Sequence, residues 1–244
     1  QFEYFADHDK EALQMYIDAT DQFAKEYLFP HLVEMDRKQP ELVNGRIQVH
    51  PIHKDIMRIS GENGWISILA NKEVGGLQMP AVFSTAASFI LGAANYSGCV
   101  FVGLTMGAAH LIEAFADKKY HDVYLPKMFA GLWQGTMALT EPGAGSSLSD
   151  VVTTAEKQED GTYKIVGQKI FISGGDHDAT SNFIHLVLAR IEGAPAGTKG
   201  ISLFVVPKFL PETEAFNDVI TAGDFQKMGQ RGYCTTHLVF GEND

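Results

Sequence analysis

The sequence has few cysteines and few positive charges. Its 244 residues contain only Cys99 and Cys234, too few for a disulfide framework, which predicts a reducing compartment. Lysine and arginine number 19 against 30 acidic residues, so the formal net charge is -11. This balance argues against nucleic acid and against an anionic membrane surface as partners.

Several common motifs are also missing. No GxxxxGK[ST] occurs, which excludes a P-loop, and no GxSxG occurs, which disfavours a hydrolase. The first residues, QFEYF, have no basic region of the kind that begins a signal peptide. The most apolar long stretch, 82–102, is interrupted by Ser, Asn and Gly, so we expect buried helices and no stable membrane insertion.

The hydrophobic pattern changes character near Gly131. Apolar residues at helical spacing predict helices over 11–35, 52–63, 81–95, 100–117 and 120–129, with Pro30 ending or kinking the first. Strands are predicted at 151–157, 163–166, 169–173, 183–190, 200–207 and 236–240, with turns at Gly167 and at Gly223-Asp224 among others. Helices followed by strands indicate two separate domains, 1–131 and 132–244.

Residues 133–175 carry the densest functional signal. An apolar run ends in TEPGAGSS (140–147), where Pro142 stops a strand and Gly143 and Gly145 permit close backbone approach. Such a loop can point several N–H groups one way and form an anion site, to which Ser146 and Ser147 add hydroxyls. A plain surface turn is the alternative. A dinucleotide fingerprint is disfavoured, because strand rather than helix is predicted to follow.

Three motifs in order resemble the acyl-CoA dehydrogenase family. They are ALTEPGAGSS (138–147), VGQKIFISGG (166–175) and KMGQRGYCTTHLVF (227–240). The stretch 167–178, GQKIFISGGDHD, together with 185–208 is most similar to the large-subunit branch, which includes enzymes of the 3-methylmercaptopropionyl-CoA dehydrogenase type. The resemblance covers most of the chain.

The resemblance implies a helical N-terminal domain followed by an antiparallel β-barrel domain. In this family a C-terminal helical domain follows and carries the glutamate that acts as catalytic base. We find no counterpart of that domain in this sequence, so we expect a fragment with no catalytic residue of its own, no turnover and weak binding of FAD. Glu141, within the TEP motif, is interpreted as structural and not as the base.

The resemblance also assigns residues to FAD, namely Met137, Leu139, Thr140, Gly145, Ser146, Phe171 and Ser173. Thr140 is expected to hydrogen-bond the flavin near N5 or its pyrimidine side. Gly145 and Ser146 are expected to meet the pyrophosphate. Phe171 and Ser173 occupy a position resembling Trp-x-Thr, where an aromatic ring lies near the flavin and a hydroxyl bonds to it.

Two of these positions depart from the commonest family pattern. Met137 stands where many members have an aromatic residue, and Phe171 stands where many have tryptophan. Both keep an apolar wall, so we expect altered flavin spectra rather than lost binding. The alternative for Thr140 and Ser173 is an ordinary place in a strand, and for Phe171 it is core packing.

Substrate and metal assignments rest on fewer residues. By resemblance, Leu104, Thr105 and Gly107 lie on the helix that forms one wall of the acyl site, and Ser146 faces the thioester end of CoA. Close helix packing is the alternative for the three helical residues. We expect no metal site, because the two candidate patterns, 176–178 (DHD) and 50–53 (HPIH), read as a turn and a helix start.

The resemblance implies FAD-dependent dehydrogenation of an acyl-CoA across Cα–Cβ. A base removes the α-proton while the β-hydrogen leaves as hydride to flavin N5, and electrons pass on to an electron-transfer flavoprotein. The alternatives are an acyl-CoA oxidase on the same fold and an inert fragment that acts only as a binding module. A homo-oligomer is expected for the intact enzyme, in the cytoplasm.

Overall fold

The computed structural model describes residues 3–243, in which helices precede a sheet as the sequence predicts. The helices are α1 (Lys10–Phe23), α2 (Leu32–Arg37), α3 (Ile52–Glu62), α4 (Ala81–Phe115) and α5 (Lys118–Phe129). A two-stranded hairpin of β1 (Glu41–Val43) and β2 (Arg46–Gln48) lies between α2 and α3. The larger sheet contains β3 (Trp133–Ala138), β4 (Thr154–Lys157), β5 (Tyr163–Ser173), β6 (Asn182–Ile191), β7 (Ile201–Pro207), β8 (Val219–Asp224) and β9 (Thr235–Phe240).

Two helix irregularities face each other in the helical half. After α1 the chain winds as a π-helix over Ala24–Leu28 and changes again at Pro30, which lacks the N–H that a continuous α-helix needs. The two helices predicted over 81–95 and 100–117 form one element, α4, with a break at Asn95 (φ -166°, ψ 96°). The Asn95 amide donates to the Leu28 carbonyl at 3.2 Å and accepts from the Gly98 N–H at 3.1 Å. The side chain therefore satisfies backbone groups that the break exposes.

Helix α4 is the centre of the helical half. It packs against α1, α5 and β3, and it buries Phe101, Ala109 and Ile112. Within residues 3–243 it is also the one helix whose length and apolar composition would suffice to cross a membrane. Core helices of folded domains meet the same criteria, so the expectation that this stretch is not a membrane span stays a prediction.

The large sheet is mixed, so the prediction of an antiparallel barrel was wrong in this respect. Its seven strands run in the order β3-β6-β4-β5-β9-β8, with β7 on the other side of β6. Strand β6 pairs parallel with both β3 and β4 and antiparallel with β7. No ladder joins β7 to β8 among the described residues, so the sheet curls into an open half-barrel. The sequence predicts strands but not which strands pair, because partners are distant along the chain.

Two predicted turns lie inside strands. Gly167 belongs to β5 at φ 153°, where an added Cβ would lie 2.5 Å from the Thr153 hydroxyl, so this glycine marks a close approach. Gly223 and Asp224 end β8, which the sequence analysis missed, and the pairing register shifts just before Gly223. Asp224 accepts the Thr235 N–H at 2.9 Å and so helps to hold β8 against β9.

A buried ion pair fastens the end of β3 to β4 and β5. Lys169 Nζ lies 2.8 Å from a Glu141 carboxylate oxygen, and the two side chains are 0% and 2% exposed. The carboxylate also accepts the N–H groups of Val152 and Thr153 at 2.8 and 3.0 Å, while Lys169 donates to the Leu139 carbonyl at 3.0 Å. Burial alone raises the pKa of Glu141, but these donors hold that pKa below its ordinary value, and burial lowers the pKa of Lys169. Glu141 is therefore a structural carboxylate.

We expect Lys169→Met to destabilise the protein by about 3–5 kcal/mol, because it leaves a buried carboxylate without its cation. Glu141→Gln combined with Lys169→Met removes that charge and should recover part of the loss. Urea unfolding measures both changes. Lys25→Met breaks an exposed pair with Asp21 and should cost about 0–1 kcal/mol. Equal losses for Lys169→Met and Lys25→Met would contradict the structural role.

Three histidines, His53, His177 and His185, are fully buried. His53 contacts the Gly232 carbonyl at 2.9 Å through Nε2, and His185 contacts the Thr136 hydroxyl at 2.7 Å. His177 stacks on Phe101 with ring centroids 4.1 Å apart. Burial lowers the pKa of His53 to about 4 and that of His185 to about 3, and it holds the pKa of His177 well below its usual range. All three are neutral in the folded protein at neutral pH.

The free energy of unfolding should fall as the pH drops from about 6.5 towards 4. In this window the unfolded chain binds protons on these histidines and the folded chain does not, which costs about 1.4 kcal/mol per pH unit and proton. His177→Phe keeps an aromatic ring on Phe101 and should reduce the slope by one proton. Equal slopes for His177→Phe and the parent protein in urea titrations would refute this account.

Candidate cofactor and acyl site

The ends of β3 and β5 meet at the residues that the sequence assigns to FAD. The Ile170 N–H donates to the Thr140 carbonyl at 2.8 Å, which joins the TEP segment to β5 directly before Phe171. Gly145 folds back onto Thr140, since a Cβ at Gly145 would lie 3.4 Å from Thr140 Cγ2. The structure therefore brings Thr140, Gly145 and Phe171 together, although they lie in two separate motifs.

Phe171 has an unusual backbone. Its φ is +58°, in a register irregularity of the β5–β9 pairing, and its side chain is 56% exposed. Bulky residues rarely adopt this left-handed conformation, and such strain concentrates at functional sites. The ring of Phe225 lies beside it with centroids 4.5 Å apart. An exposed aromatic surface is thus held at the end of β5. The sequence analysis missed Phe225, which carries no motif signal.

Ser173 lies two positions after Phe171, and it is close enough to Tyr233 to lower the pKa of that phenol. Burial raises the pKa of the Tyr233 phenol, which donates to Gln230 at 2.8 Å. Lys227 covers the Tyr233 ring, 3.4 Å from its centroid, and burial lowers the pKa of Lys227 to about 8. The KMGQRGY motif therefore forms a wall beside Ser173. The sequence motifs alone gave these side chains no role, because the contact depends on the β5–β9 pairing.

The loop after Pro142 offers unpaired N–H donors. Glu141 and Ala144 exchange two backbone hydrogen bonds of 2.8 and 3.1 Å and close a tight turn. In the part of the chain described here, the N–H groups of Gly145, Ser146 and Ser147 have no backbone acceptor, and all three residues are exposed. Such a cluster can receive an anion.

Two other predicted flavin residues, Met137 and Leu139, lie on either side of a buried residue at the end of β3. Ala138 is fully buried, whereas Met137 is 36% exposed and Leu139 is half-buried. Side chains two apart share a face of a strand, so Met137 and Leu139 present an apolar surface next to Thr140.

A cavity of about 270 Å³ lies between α1, α4 and the segment after α3. Leu104 lines it, and Leu104 Cδ1 also lies 3.4 Å from the Cβ position of Gly174, the neighbour of Ser173. Leu104 therefore connects the cavity to the predicted flavin residues. Its lining also includes Tyr16, Trp65, Ile68, Ser84, Ala87, Leu91, Tyr96, Cys99 and Met106.

Two predicted substrate residues do not line this cavity. Thr105 is fully buried, donates its hydroxyl to the Phe101 carbonyl at 2.8 Å and accepts the Gly135 N–H at 3.1 Å. It therefore joins α4 to β3, and the helix-packing alternative describes it better. Gly107 is exposed, and nothing lies within 4 Å of its Cβ position.

The residues of the DHD pattern have separate partners. Asp176 pairs with Lys208 at 2.9 Å, His177 stacks on Phe101, and Asp178 accepts the Val49 N–H at 3.0 Å. Of the HPIH pattern, His53 is buried.

The other histidine of the HPIH pattern, His50, lies near His31 and Glu34. These three residues are close enough together to be ligands of one metal ion. His50 Nδ1 accepts the Ile52 N–H at 3.3 Å, which leaves Nε2–H to donate to Glu34 at 3.3 Å. A hydrogen bond explains this arrangement without a metal.

Comparisons with known proteins agree with the fold. The family model "Acyl-CoA dehydrogenase, N-terminal domain" matches residues 10–132, and "Acyl-CoA dehydrogenase, middle domain" matches residues 136–242. A butyryl-CoA dehydrogenase of Syntrophomonas wolfei is 38% identical over 95% of this chain and 39% of its own length. A 3-methylmercaptopropionyl-CoA dehydrogenase of Ruegeria pomeroyi is 40% identical over 90% of this chain and 38% of its own length.

Solved structures show the same architecture. An acyl-CoA dehydrogenase from Geobacillus kaustophilus superposes with a TM-score of 0.76 at 26% identity, over 96% of this chain and 56% of that one. A structure described as an electron transferring flavoprotein of Acidaminococcus fermentans gives 0.77 at 25% identity, with the same coverage of 96% and 56%. The chain spans less than two fifths of the length of the two curated relatives. The two family models together match nearly all of its residues, and the chain belongs to the acyl-CoA dehydrogenase family.

Proposed function

We propose that this chain contributes the flavin-facing and acyl-facing walls of an FAD-dependent enzyme that dehydrogenates an acyl-CoA thioester across Cα–Cβ. The observation that carries the proposal is the exposed ring of Phe171, which contacts the half-buried Phe225 and is held by a strained backbone. The neighbouring Ile170 bonds to Thr140, and Ser173 follows Phe171 by two positions. A flat ring with a polar edge needs an apolar wall and a few donors, and these residues supply both.

The residues present fit FAD at two further points. Met137 and Leu139 extend the apolar wall along β3. The unpaired N–H groups of Gly145 and Ser146 suit the negative charge of a pyrophosphate. The bound cofactor would supply the hydride acceptor for the reaction. The residues of this chain would bind and orient it and keep water from one face of its ring.

The acyl group would enter the cavity beside Leu104, which lies next to the predicted flavin residues. An apolar cavity suits an acyl chain, and the curated relatives named above act on acyl-CoA thioesters by their names. Ser146, exposed on the loop, would face the CoA end. Glu141 is unsuitable as the base, because its carboxylate is buried and paired with Lys169. We therefore place the catalytic base on a part of the enzyme outside this chain.

An electron-transfer flavoprotein is the proposed electron acceptor, and a cytoplasmic homo-oligomer is the proposed form of the intact enzyme. An oxidase that passes electrons to oxygen is the alternative on the same fold. Oxygen uptake during acyl-CoA oxidation separates these two, because only the oxidase consumes oxygen at the rate of substrate loss. A chain that binds neither FAD nor acyl-CoA would favour the inert binding module.

Phe171→Ala should weaken FAD binding about tenfold and change the flavin absorption spectrum, because aromatic contacts contribute about 0.5–1.5 kcal/mol beyond their buried area. Flavin fluorescence titration of the purified protein measures the dissociation constant. Phe115→Ala removes a similarly exposed ring at the end of α4 and should change neither quantity. If Phe171→Ala binds FAD like the parent protein, or if the parent protein binds no FAD, the proposed cofactor site is wrong.

A further inference from the structure

The cavity beside Leu104 is elongated along helix α4. Its lining residues on α4 run from Ser84 to Met106, which is about six turns of helix. Leu104 lies at the end near the predicted flavin residues, since its Cδ1 is 3.4 Å from the Cβ position of Gly174. A chain whose reacting carbons lie near these residues can therefore extend along α4 in the direction of Ser84.

The volume of the cavity indicates how long a chain it can hold. An apolar cavity of about 150 Å³ binds benzene, which has six carbon atoms. By the same ratio, the volume of about 270 Å³ has room for about ten carbon atoms. A butyryl group would leave much of this space empty, so the apolar lining would lose contacts that a longer chain provides.

Gly103 keeps the cavity open next to Leu104. It lines the cavity and is exposed, and no other part of the described chain lies within 4 Å of its Cβ position. Its backbone is helical, and glycine is unfavourable inside a helix relative to alanine. Neither a turn nor a close backbone approach requires a glycine here. The space that a side chain would occupy is therefore available to a ligand.

We propose that this cavity takes acyl chains of about eight to ten carbon atoms, and that Gly103 sets this length. The inference rests on the proposed dehydrogenase function and adds the class of acyl group. Gly103 is then a specificity residue, because a side chain at this position would occupy the path of the chain beyond Leu104.

Binding of butyryl-, hexanoyl-, octanoyl-, decanoyl- and hexadecanoyl-CoA to the FAD-loaded protein tests the proposal. Each methylene group that enters the cavity should tighten binding about fourfold, which corresponds to about 0.8 kcal/mol. The dissociation constant should therefore fall about 16-fold from hexanoyl-CoA to octanoyl-CoA and change little from decanoyl-CoA to hexadecanoyl-CoA. Calorimetry gives the dissociation constants, and flavin bleaching reports turnover.

Variants of two glycines on α4 test the role of Gly103. Gly103→Leu should stop the gain at a shorter chain, so that octanoyl-CoA binds no more tightly than hexanoyl-CoA, and Gly103→Ala should have a smaller effect. Gly107→Leu is the matched control, because Gly107 is also exposed with nothing within 4 Å of its Cβ position but does not line the cavity. It should keep the chain-length series of the parent protein. Circular dichroism checks that the variants fold, as expected for residues that favour a helix more than glycine does.

The outcomes separate the inference from the proposed function. If butyryl-CoA bleaches the flavin and longer chains bind no more tightly, the inference is wrong and the dehydrogenase function stands. A dissociation constant that keeps falling up to hexadecanoyl-CoA, or equal effects of Gly103→Leu and Gly107→Leu, would also overturn the inference. If no acyl-CoA binds or bleaches the flavin, the proposed function fails and the inference falls with it.

Discussion

The buried pair of Glu141 and Lys169 constrains the whole sheet half of the molecule. The carboxylate receives two N–H groups from the chain that enters β4, and the ammonium group reaches back to the carbonyl of Leu139. One interaction therefore fixes the end of β3, the start of β4 and the middle of β5. Because Phe171 follows Lys169 by two positions, its strained backbone depends on the same anchor. Fixing the pair therefore also fixes the exposed surface around Phe171.

In the helical half, the main constraint is the break in helix α4 at Asn95. A 35-residue helix crosses this half, and a break at Asn95 would leave backbone groups unsatisfied without side-chain partners. Asn95 supplies them through Leu28 and Gly98. The cavity is lined by residues on both sides of this break, so the irregularity and the room for a ligand occur together. Tyr16 completes that cavity from α1.

The two halves are joined by a phenylalanine ring and two histidine rings that are uncharged at neutral pH. Phe101 on α4 contacts His53 and His177, with ring centroids 4.5 and 4.1 Å away. Burial lowers the pKa of both histidines, so they pack as neutral rings at ordinary pH. The two histidines can therefore lie in the core at this junction while they are neutral. Their protonation at low pH lowers the free energy of unfolding. The junction also holds α4 against the strand ends, which keeps Leu104 beside the predicted flavin residues.

By itself the sequence determined that helices precede strands, which family the chain belongs to, and where a glycine-rich and serine-rich loop follows β3. Local patterns suffice for these, because helical spacing, turn residues and contiguous motifs are encoded over short stretches. Tertiary structure alone decided that β6 pairs parallel with β3, that Thr105 joins α4 to β3, and that Phe225 lies beside Phe171. Each depends on contacts between residues far apart in the chain. The lack of a hydrogen-bond partner for the Tyr16 hydroxyl among the described residues also depends on tertiary contacts. A tyrosine on an amphipathic helix does not show in the sequence which groups its oxygen will contact.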